Sequence, residues 1–247
     1  MSKSLNILPL KESSKKNDKW TDIEHIISHP FTMAIHAPSR SGKSVVLSNF
    51  LYNEAFNFKK RFDKIIFISP TILIDQTLQY ARDDEDVVKI YEDDLLENLD
   101  NVLQTILAKQ KKEKDSEKPN ATLIILDDCL AYLKNKSLSY LSTKNRHYNI
   151  SLIITTQYYK RIDVVIRANA THWLLFKTHT DKEHSTIVED FNAFPDFEKF
   201  YNTAIEEPYS FLFADMLKMK LFKRFEGEPL YDKIRDFDKY KRKEISK

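Results

Sequence analysis

Residues 31–50 read FTMAIHAPSRSGKSVVLSNF, and this stretch predicts a strand, a short loop and a helix in direct succession. The apolar run 31–37 has the length and composition of a buried strand, and Pro38 follows it. Apolar side chains then recur at helical spacing over residues 44–58. The loop between them contains Gly42, one of only two glycines in the chain. A strand, a glycine-containing loop and a helix are the parts of a phosphate-binding loop.

Residues 37–44 follow the pattern G-x-x-x-x-G-K-[ST], except that alanine occupies the first glycine position. Backbone N–H groups of such a loop surround nucleotide phosphates, and the glycine permits their close approach. The lysine reaches the β- and γ-phosphates, and the serine hydroxyl binds Mg²⁺. We therefore predict ATP and Mg²⁺ as cofactors, with these nucleotide-binding residues: Ala37, Pro38, Ser39, Arg40, Ser41, Gly42, Lys43 and Ser44. A chance Gly-Lys-Ser in a lysine-rich chain is the alternative.

Four further apolar runs have the length of buried strands, at residues 64–68, 122–126, 151–156 and 172–176. Helical spacing recurs over residues 95–109, a short helix is expected at 22–29, and a hairpin is expected within 209–225. Continuous apolar strands that alternate with helices are typical of a parallel sheet covered on both faces. The predicted fold class is therefore α/β, a P-loop NTPase with a mainly parallel sheet and helices on both faces.

An acidic pair, Asp127 and Asp128, directly follows the apolar run 122–126. This pattern is typical of the second motif of P-loop ATPases. The first carboxylate, Asp127, is expected to hold Mg²⁺ through water together with Ser44, and the second, Asp128, to act as general base on the attacking water. An acidic turn after a core strand is the alternative interpretation. The presence of a phosphate-binding loop in the same chain disfavours it.

Polar residues near the run 151–156 are the remaining catalytic candidates. Gln157 ends that strand, where it can contact the γ-phosphate or orient water. Arg146 precedes the strand and is a candidate arginine finger for the ATP of a neighbouring subunit. Arg161 and Arg167 are rival fingers, and a simple surface charge is the alternative for any of these arginines. Arg40, inside the loop, could also touch phosphate.

Composition limits the remaining possibilities. The net charge of +2 does not by itself indicate a nucleic-acid binder, and no apolar run is long enough for a transmembrane helix. The single cysteine, Cys129, is expected to be a small core residue. His25 and His29 have helical spacing but lack a third ligand, so no metal site is predicted there. We divide the chain into an N-terminal arm with a short helix (1–29), an ATPase domain (30–225) and a basic C-terminal tail (226–247).

The order of these motifs resembles a known family. The loop 37–44 is followed by ILDD (125–128), by NRHYNISLIITTQ (145–157) and by IRANATHW (166–173). Together these segments resemble the genome-packaging ATPases of poxviruses, giant viruses and virophages, which belong to the FtsK–HerA superfamily. The resemblance covers about residues 30–225, and its most specific part lies between residues 146 and 176.

The resemblance implies a RecA-like fold and ATP-driven translocation of double-stranded DNA into a preformed capsid. It assigns Lys43 and Ser44 to ATP–Mg²⁺, the acidic pair to the second motif, Gln157 to the sensor position and Arg146 to the finger in trans. A finger in trans implies a homo-oligomeric ring of five or six subunits. Capsid vertex or membrane-free procapsid proteins are the implied partners, and the virion or the viral factory in the host cytoplasm is the implied location.

Two departures and two alternatives accompany this interpretation. Ala37 replaces the usual glycine, and Asp128 stands where many members of the superfamily have glutamate. A P-loop helicase acting on single strands is one alternative function. A nucleotide-switched capsid assembly factor, with slow hydrolysis that ignores DNA, is the other.

Overall fold

A computed structural model of the chain describes residues 18–113, 120–132 and 136–236. These residues form one nine-stranded sheet, in the order β3-β2-β4-β5-β1-β6-β7-β8-β9. The strands are β1 (Thr32–His36), β2 (Lys64–Ile68), β3 (Val87–Ile90), β4 (Thr122–Asp127), β5 (Ile150–Thr156), β6 (His172–Phe176), β7 (Phe211–Asp215), β8 (Lys220–Lys223) and β9 (Tyr231–Asp232). The first six strands in chain order pair in parallel, and β7, β8 and β9 extend the sheet in antiparallel pairs.

Helices connect the strands and cover both faces of the sheet. They are α1 (Lys43–Tyr52), α2 (Phe58–Arg61), α3 (Gln79–Asp83), α4 (Asp93–Glu97), α5 (Leu99–Glu113), α6 (Lys136–Lys144), α7 (Val164–Asn169), α8 (Asp181–Asp190) and α9 (Phe197–Ala204). Helices α1, α2 and α3 contribute to one hydrophobic core, and α4 to α9 contribute to the other. The mixed α/β class is thereby confirmed, with a sheet that is mainly but not wholly parallel.

Alternate side chains of the central strands point into the two cores. On β4, Leu123 and Ile125 belong to the core with α1, whereas Ile124 and Leu126 belong to the core with α5. All four side chains are fully buried. A strand with both faces covered needs apolar residues at every position, which explains the uninterrupted apolar runs of the sequence.

The predicted strands are present, and the hairpin expected within 209–225 is formed by β7 and β8. Two strands were not predicted. Strand β3 lies at the edge of the sheet, and β9 pairs with β8 beyond residue 225, inside the segment assigned to the C-terminal tail. The arm residues 1–17 and the basic residues 237–247 lie outside the described residues, so the division of the chain stays a prediction.

Two helix predictions were wrong in extent, and a third helix is not formed. The helix expected over 44–58 ends at Tyr52, because Asn53 takes an extended conformation and an aromatic cluster of Phe50, Phe56 and Phe58 packs where the chain turns. The helix expected over 95–109 is divided at Asn98, whose side chain caps α4 by donating to a backbone carbonyl. The helix expected at 22–29 is replaced by hydrogen-bonded turns over residues 21–26. No helix among the described residues is long and apolar enough to cross a membrane.

Candidate nucleotide-binding site

The loop between β1 and α1 lies at the carboxyl edge of the parallel strands. Gly42 has a φ of +97°, a conformation that residues with a Cβ rarely adopt, and a Cβ there would lie 3.5 Å from the ring of Tyr209. Helix α1 begins at the next residue, and no side chain caps its N-terminus. The first backbone N–H groups of α1 therefore remain for a ligand, as in a site for phosphate.

Lys43 lies between the two acids of the pair at the end of β4. Its ammonium is 2.9 Å from Oδ1 of Asp127 and also pairs with Oδ2 of Asp128. Burial lowers the pKa of Lys43, but the two carboxylates outweigh this effect, so the pKa lies above its ordinary value. The side chain is therefore a cation that balances two acids at the edge of the sheet.

Asp127 is buried and fixed by neighbouring strands. Thr155 donates a hydrogen bond of 2.7 Å to its Oδ1, and Ser69 donates one of 3.1 Å to its Oδ2. Thr155 is its direct partner in the parallel pairing of β4 with β5. A carboxylate with both oxygens occupied by hydrogen bonds holds one orientation, which suits an outer ligand of a metal ion.

Asp128 is more exposed than Asp127 and faces the loop. Its backbone has a φ of +52°, in the left-handed region. The amide of Gln157 donates to its Oδ2 at 3.2 Å, and the hydroxyl of Ser39 donates to the amide oxygen of Gln157 at 2.9 Å. The residues predicted for water activation and γ-phosphate contact thus lie together with the loop.

Four residues that line this site were not predicted: Val45, Asp75, Thr77 and Tyr209. The hydroxyl of Ser44 donates a hydrogen bond of 2.6 Å to Asp75, which follows β2. Asp75 and Tyr209 join the loop in lining a cavity of about 350 Å³. The cavity lining comprises Ala37, Pro38, Ser39, Arg40, Gly42, Lys43, Ser44, Val45, Asp75, Thr77, Gln157 and Tyr209.

The site fits a nucleotide that brings its own metal ion. The hydroxyl of Ser41, within the loop, is buried without a hydrogen-bond partner among the described residues. The described part of the chain contains no cluster of three His, Cys, Asp or Glu residues that could hold a metal alone. Mg²⁺ is commonly held by one or two protein carboxylates together with substrate phosphates, and this donor set matches that chemistry.

The candidate arginines lie in different places. Arg146 is exposed on a 3-10 helix (Asn145–Tyr148) that precedes β5. It therefore lies at the amino ends of the parallel strands, whereas the loop lies at their carboxyl ends. Arg167 pairs with Asp190 and stacks over the ring of Tyr159 at 5.2 Å. Arg161 is exposed beyond the carboxyl end of β5. Arg146 therefore lies far from the nucleotide site of its own chain.

His29 and Cys129, for which the sequence predicts no metal site and no catalytic role, both make structural contacts. His29 bonds to Ser151 and Asn149, each at 2.8 Å, and stacks on Trp20. Cys129 is fully buried, and burial raises the pKa of its thiol. Neither residue contributes to the cavity around the loop.

Residues 19–191, more than half of the chain, match the protein family described as Poxvirus A32 protein. The chain belongs to this family. The resemblance to the genome-packaging ATPases of poxviruses is thereby confirmed. Among curated proteins none matches the chain.

Solved structures share the fold of this A32-family chain. The genome packaging NTPase B204 of Sulfolobus turreted icosahedral virus 2, in complex with AMPPCP, aligns with a TM-score of 0.60 at 17% identity, over 79% of this chain and 97% of that one. EssC (ATPases 2 and 3) from Geobacillus thermodenitrificans aligns with a TM-score of 0.57 at 15% identity, over 86% of this chain and 42% of that one. At these identities the likeness concerns the fold alone.

Proposed function

We propose that the chain is an ATP-driven translocase of double-stranded DNA that packages a viral genome into a preformed capsid. The observation that carries this proposal is the Lys43 ammonium between the carboxylates of Asp127 and Asp128. This arrangement brings the charged groups of an ATPase together where parallel sheets bind ligands. Membership of the A32 family, and the fold shared with an NTPase named for genome packaging, support the viral role.

Hydrolysis follows from the positions of these side chains. When ATP enters, we expect Lys43 to leave the two carboxylates for the β- and γ-phosphates. Asp127, through water, and Ser44 would hold Mg²⁺, which would supply positive charge to the transferring phosphoryl group. Asp128, released from Lys43, accepts the proton of the attacking water, and Gln157 keeps that carboxylate oriented.

A ring of subunits would complete the site. Arg146 precedes β5, whose seven residues span about 23 Å, so its guanidinium cannot reach the nucleotide of its own chain. We propose that it acts on the ATP of the adjacent subunit in a homo-oligomer of five or six. The family resemblance implies a RecA-like core for the subunits of such a ring. In this chain β1 lies between β5 and β6 in the sheet.

The surface around α6 supports DNA as the partner. The sequence has no aspartate or glutamate over residues 129–162. Besides the proposed finger Arg146, α6 and the 3-10 helix after it expose Tyr140 and three basic side chains within the described residues: Lys136, Lys144 and His147. Such a surface suits the phosphate backbone, so DNA binding should weaken as salt increases.

Capsid vertex or membrane-free procapsid proteins are the proposed further partners, and the virion or viral factory in the host cytoplasm is the proposed location. Both rest on the family. A helicase acting on single strands and a nucleotide-switched assembly factor are the functions that the experiment below must separate from a duplex translocase.

The test is ATP hydrolysis by the purified protein, with and without double-stranded DNA, for wild type, Lys43→Ala and Arg146→Ala. The proposal predicts that duplex DNA raises the wild-type rate and that both variants abolish it. Lys199→Ala, which removes an exposed cation on α9, should behave as wild type. Stimulation by single strands alone would favour a helicase, and a rate that ignores DNA would favour the assembly factor.

A further inference from the structure

The segment that follows β2 contacts both residues assigned to Mg²⁺. At its start, Ser69 donates a hydrogen bond of 3.1 Å to Asp127. At its end, Asp75 accepts one of 2.6 Å from Ser44. One short segment thus holds the metal-binding acid of β4 and the metal-binding hydroxyl of α1, although it belongs to neither motif.

Asp75 is held in place by a second contact. Its other carboxylate oxygen accepts the backbone N–H of Thr77 at 2.8 Å, which caps the 3-10 helix Gln76–Leu78. One turn after Ser44 on α1, the hydroxyl of Ser48 donates to the backbone oxygen of Thr77 at 2.8 Å. The segment is therefore attached to α1 at two points, and the carboxylate of Asp75 keeps a fixed direction towards Ser44.

The direction of the Ser44 proton matters for a metal ion. A hydroxyl has one proton and two lone pairs, and only the lone pairs can bind a cation. Because the Ser44 hydroxyl donates its hydrogen bond to Asp75, the lone pairs of Ser44 are left for a ligand in the cavity. A charged acceptor also makes the hydroxyl oxygen a stronger metal ligand, as carboxylates do when they hydrogen-bond to other metal-binding side chains.

We propose that Asp75 is a positioning residue for Mg²⁺ that acts through Ser44. It holds the hydroxyl proton away from the metal and thereby raises the affinity of the nucleotide site for Mg²⁺. The inference rests on the binding of ATP–Mg²⁺ in the proposed function, but not on DNA or on the ring. It therefore stands or fails independently of the translocase.

The substitution Asp75→Asn tests this role with little change of shape. The asparagine oxygen can still accept the N–H of Thr77, so the cap of the 3-10 helix is retained, while the negative charge facing Ser44 is lost. Asp83→Asn is the matched control, because Asp83 is an exposed acid on α3 that does not line the cavity.

The measurement is the binding of a fluorescent ATP analogue, first in EDTA and then during a titration with Mg²⁺, without DNA. We expect unchanged affinity in EDTA for Asp75→Asn and a half-saturating Mg²⁺ concentration raised by roughly 10- to 100-fold. Electron paramagnetic resonance of Mn²⁺ bound with the nucleotide should show the same loss of affinity. Asp83→Asn should match wild type in each assay.

A double-mutant cycle with Ser44→Ala decides whether Asp75 acts through the hydroxyl. The account predicts that Asp75→Asn adds nothing to the Mg²⁺ defect of Ser44→Ala. Additive defects would overturn it, since Asp75 would then touch the metal itself. An unchanged Mg²⁺ requirement, or an equal loss of affinity in EDTA, would also overturn it and leave Asp75 a structural cap. If wild type fails to translocate DNA yet these results hold, only the proposed function is lost.

Discussion

The amide nitrogen of Gln157 lies 3.2 Å from a carboxylate oxygen of Asp128, although 29 residues separate them in the chain. The same amide accepts a hydrogen bond from Ser39 in the phosphate-binding loop. One side chain at the end of β5 thus connects the proposed general base to the loop that would carry the γ-phosphate. We propose from this relationship that Gln157 orients Asp128 and responds to the bound nucleotide.

Replacing Gln157 by alanine should slow hydrolysis more than it weakens ATP binding. Asp128 would lose its orienting donor, and general-base catalysis depends on that geometry, so kcat should fall by about 100-fold while KM for ATP changes little. Steady-state kinetics measure both constants. Gln104→Ala, on the exposed face of α5, should leave both unchanged. A large rise in KM with a normal kcat would instead make Gln157 a simple binding contact.

Arg146 should act across a subunit boundary. Lys43→Ala and Arg146→Ala are each expected to be inactive, but mixing them should restore activity, because a subunit with intact Lys43 can receive Arg146 from its neighbour. With random assembly of equal amounts, about one quarter of the wild-type rate should return. ATP hydrolysis after co-assembly measures this recovery. An arginine that serves only its own chain or only DNA would give none.

Acid should destabilise the fold through His29. Burial lowers its pKa from 6.5 to about 4, against the opposing effects of Asn149 and Asp63. Between about pH 6.5 and pH 4, His29 is therefore protonated in the unfolded chain but neutral in the folded chain. The stability present above pH 6.5 is lost as the pH falls through this range.

Urea denaturation at several pH values measures the contribution of His29. His29→Gln should show a shallower loss of unfolding free energy between pH 6.5 and 4 than wild type. A slope remains, because burial also lowers the pKa values of His36 and His172. Identical slopes for wild type and variant would contradict the assignment to His29.

Two leucines offer a matched test of the core. Leu123 is fully buried in β4, whereas Leu217, in the turn between β7 and β8, is 56% exposed. Leu123→Ala should lower the unfolding free energy by roughly 2–5 kcal/mol through lost burial and a cavity. Leu217→Ala should stay within about 0.5 kcal/mol of wild type. A similar loss of unfolding free energy for both variants would contradict the claim that burial in the central sheet stabilises the fold.

The sequence was most informative where side chains are buried on both faces. Residues 64–68 and 172–176 were predicted with the bounds that β2 and β6 have, because each contains a continuous apolar run of four residues, 65–68 and 173–176. Strand β3 escaped prediction for the opposite reason. It lies at the edge of the sheet, exposes Val88 and follows an acidic run, so its sequence has no continuous apolar signal.

The site was predictable only where a motif is local. The loop 37–44 and the pair Asp127–Asp128 are contiguous in sequence, and their meeting follows from parallel strands that end at one edge. Asp75 and Tyr209 reach the same cavity from loops that carry no motif. Their contacts depend on where β2 and β7 stand in the sheet, which only the tertiary structure reveals.

The most direct test of the central claim is movement along a duplex. A third strand is bound to double-stranded DNA as a triplex, and its displacement by the protein is followed with and without ATP. The account predicts ATP-dependent displacement of the third strand with the duplex left intact, and none by Lys43→Ala. ATP hydrolysis without displacement, or separation of the duplex strands, would contradict a double-stranded DNA translocase.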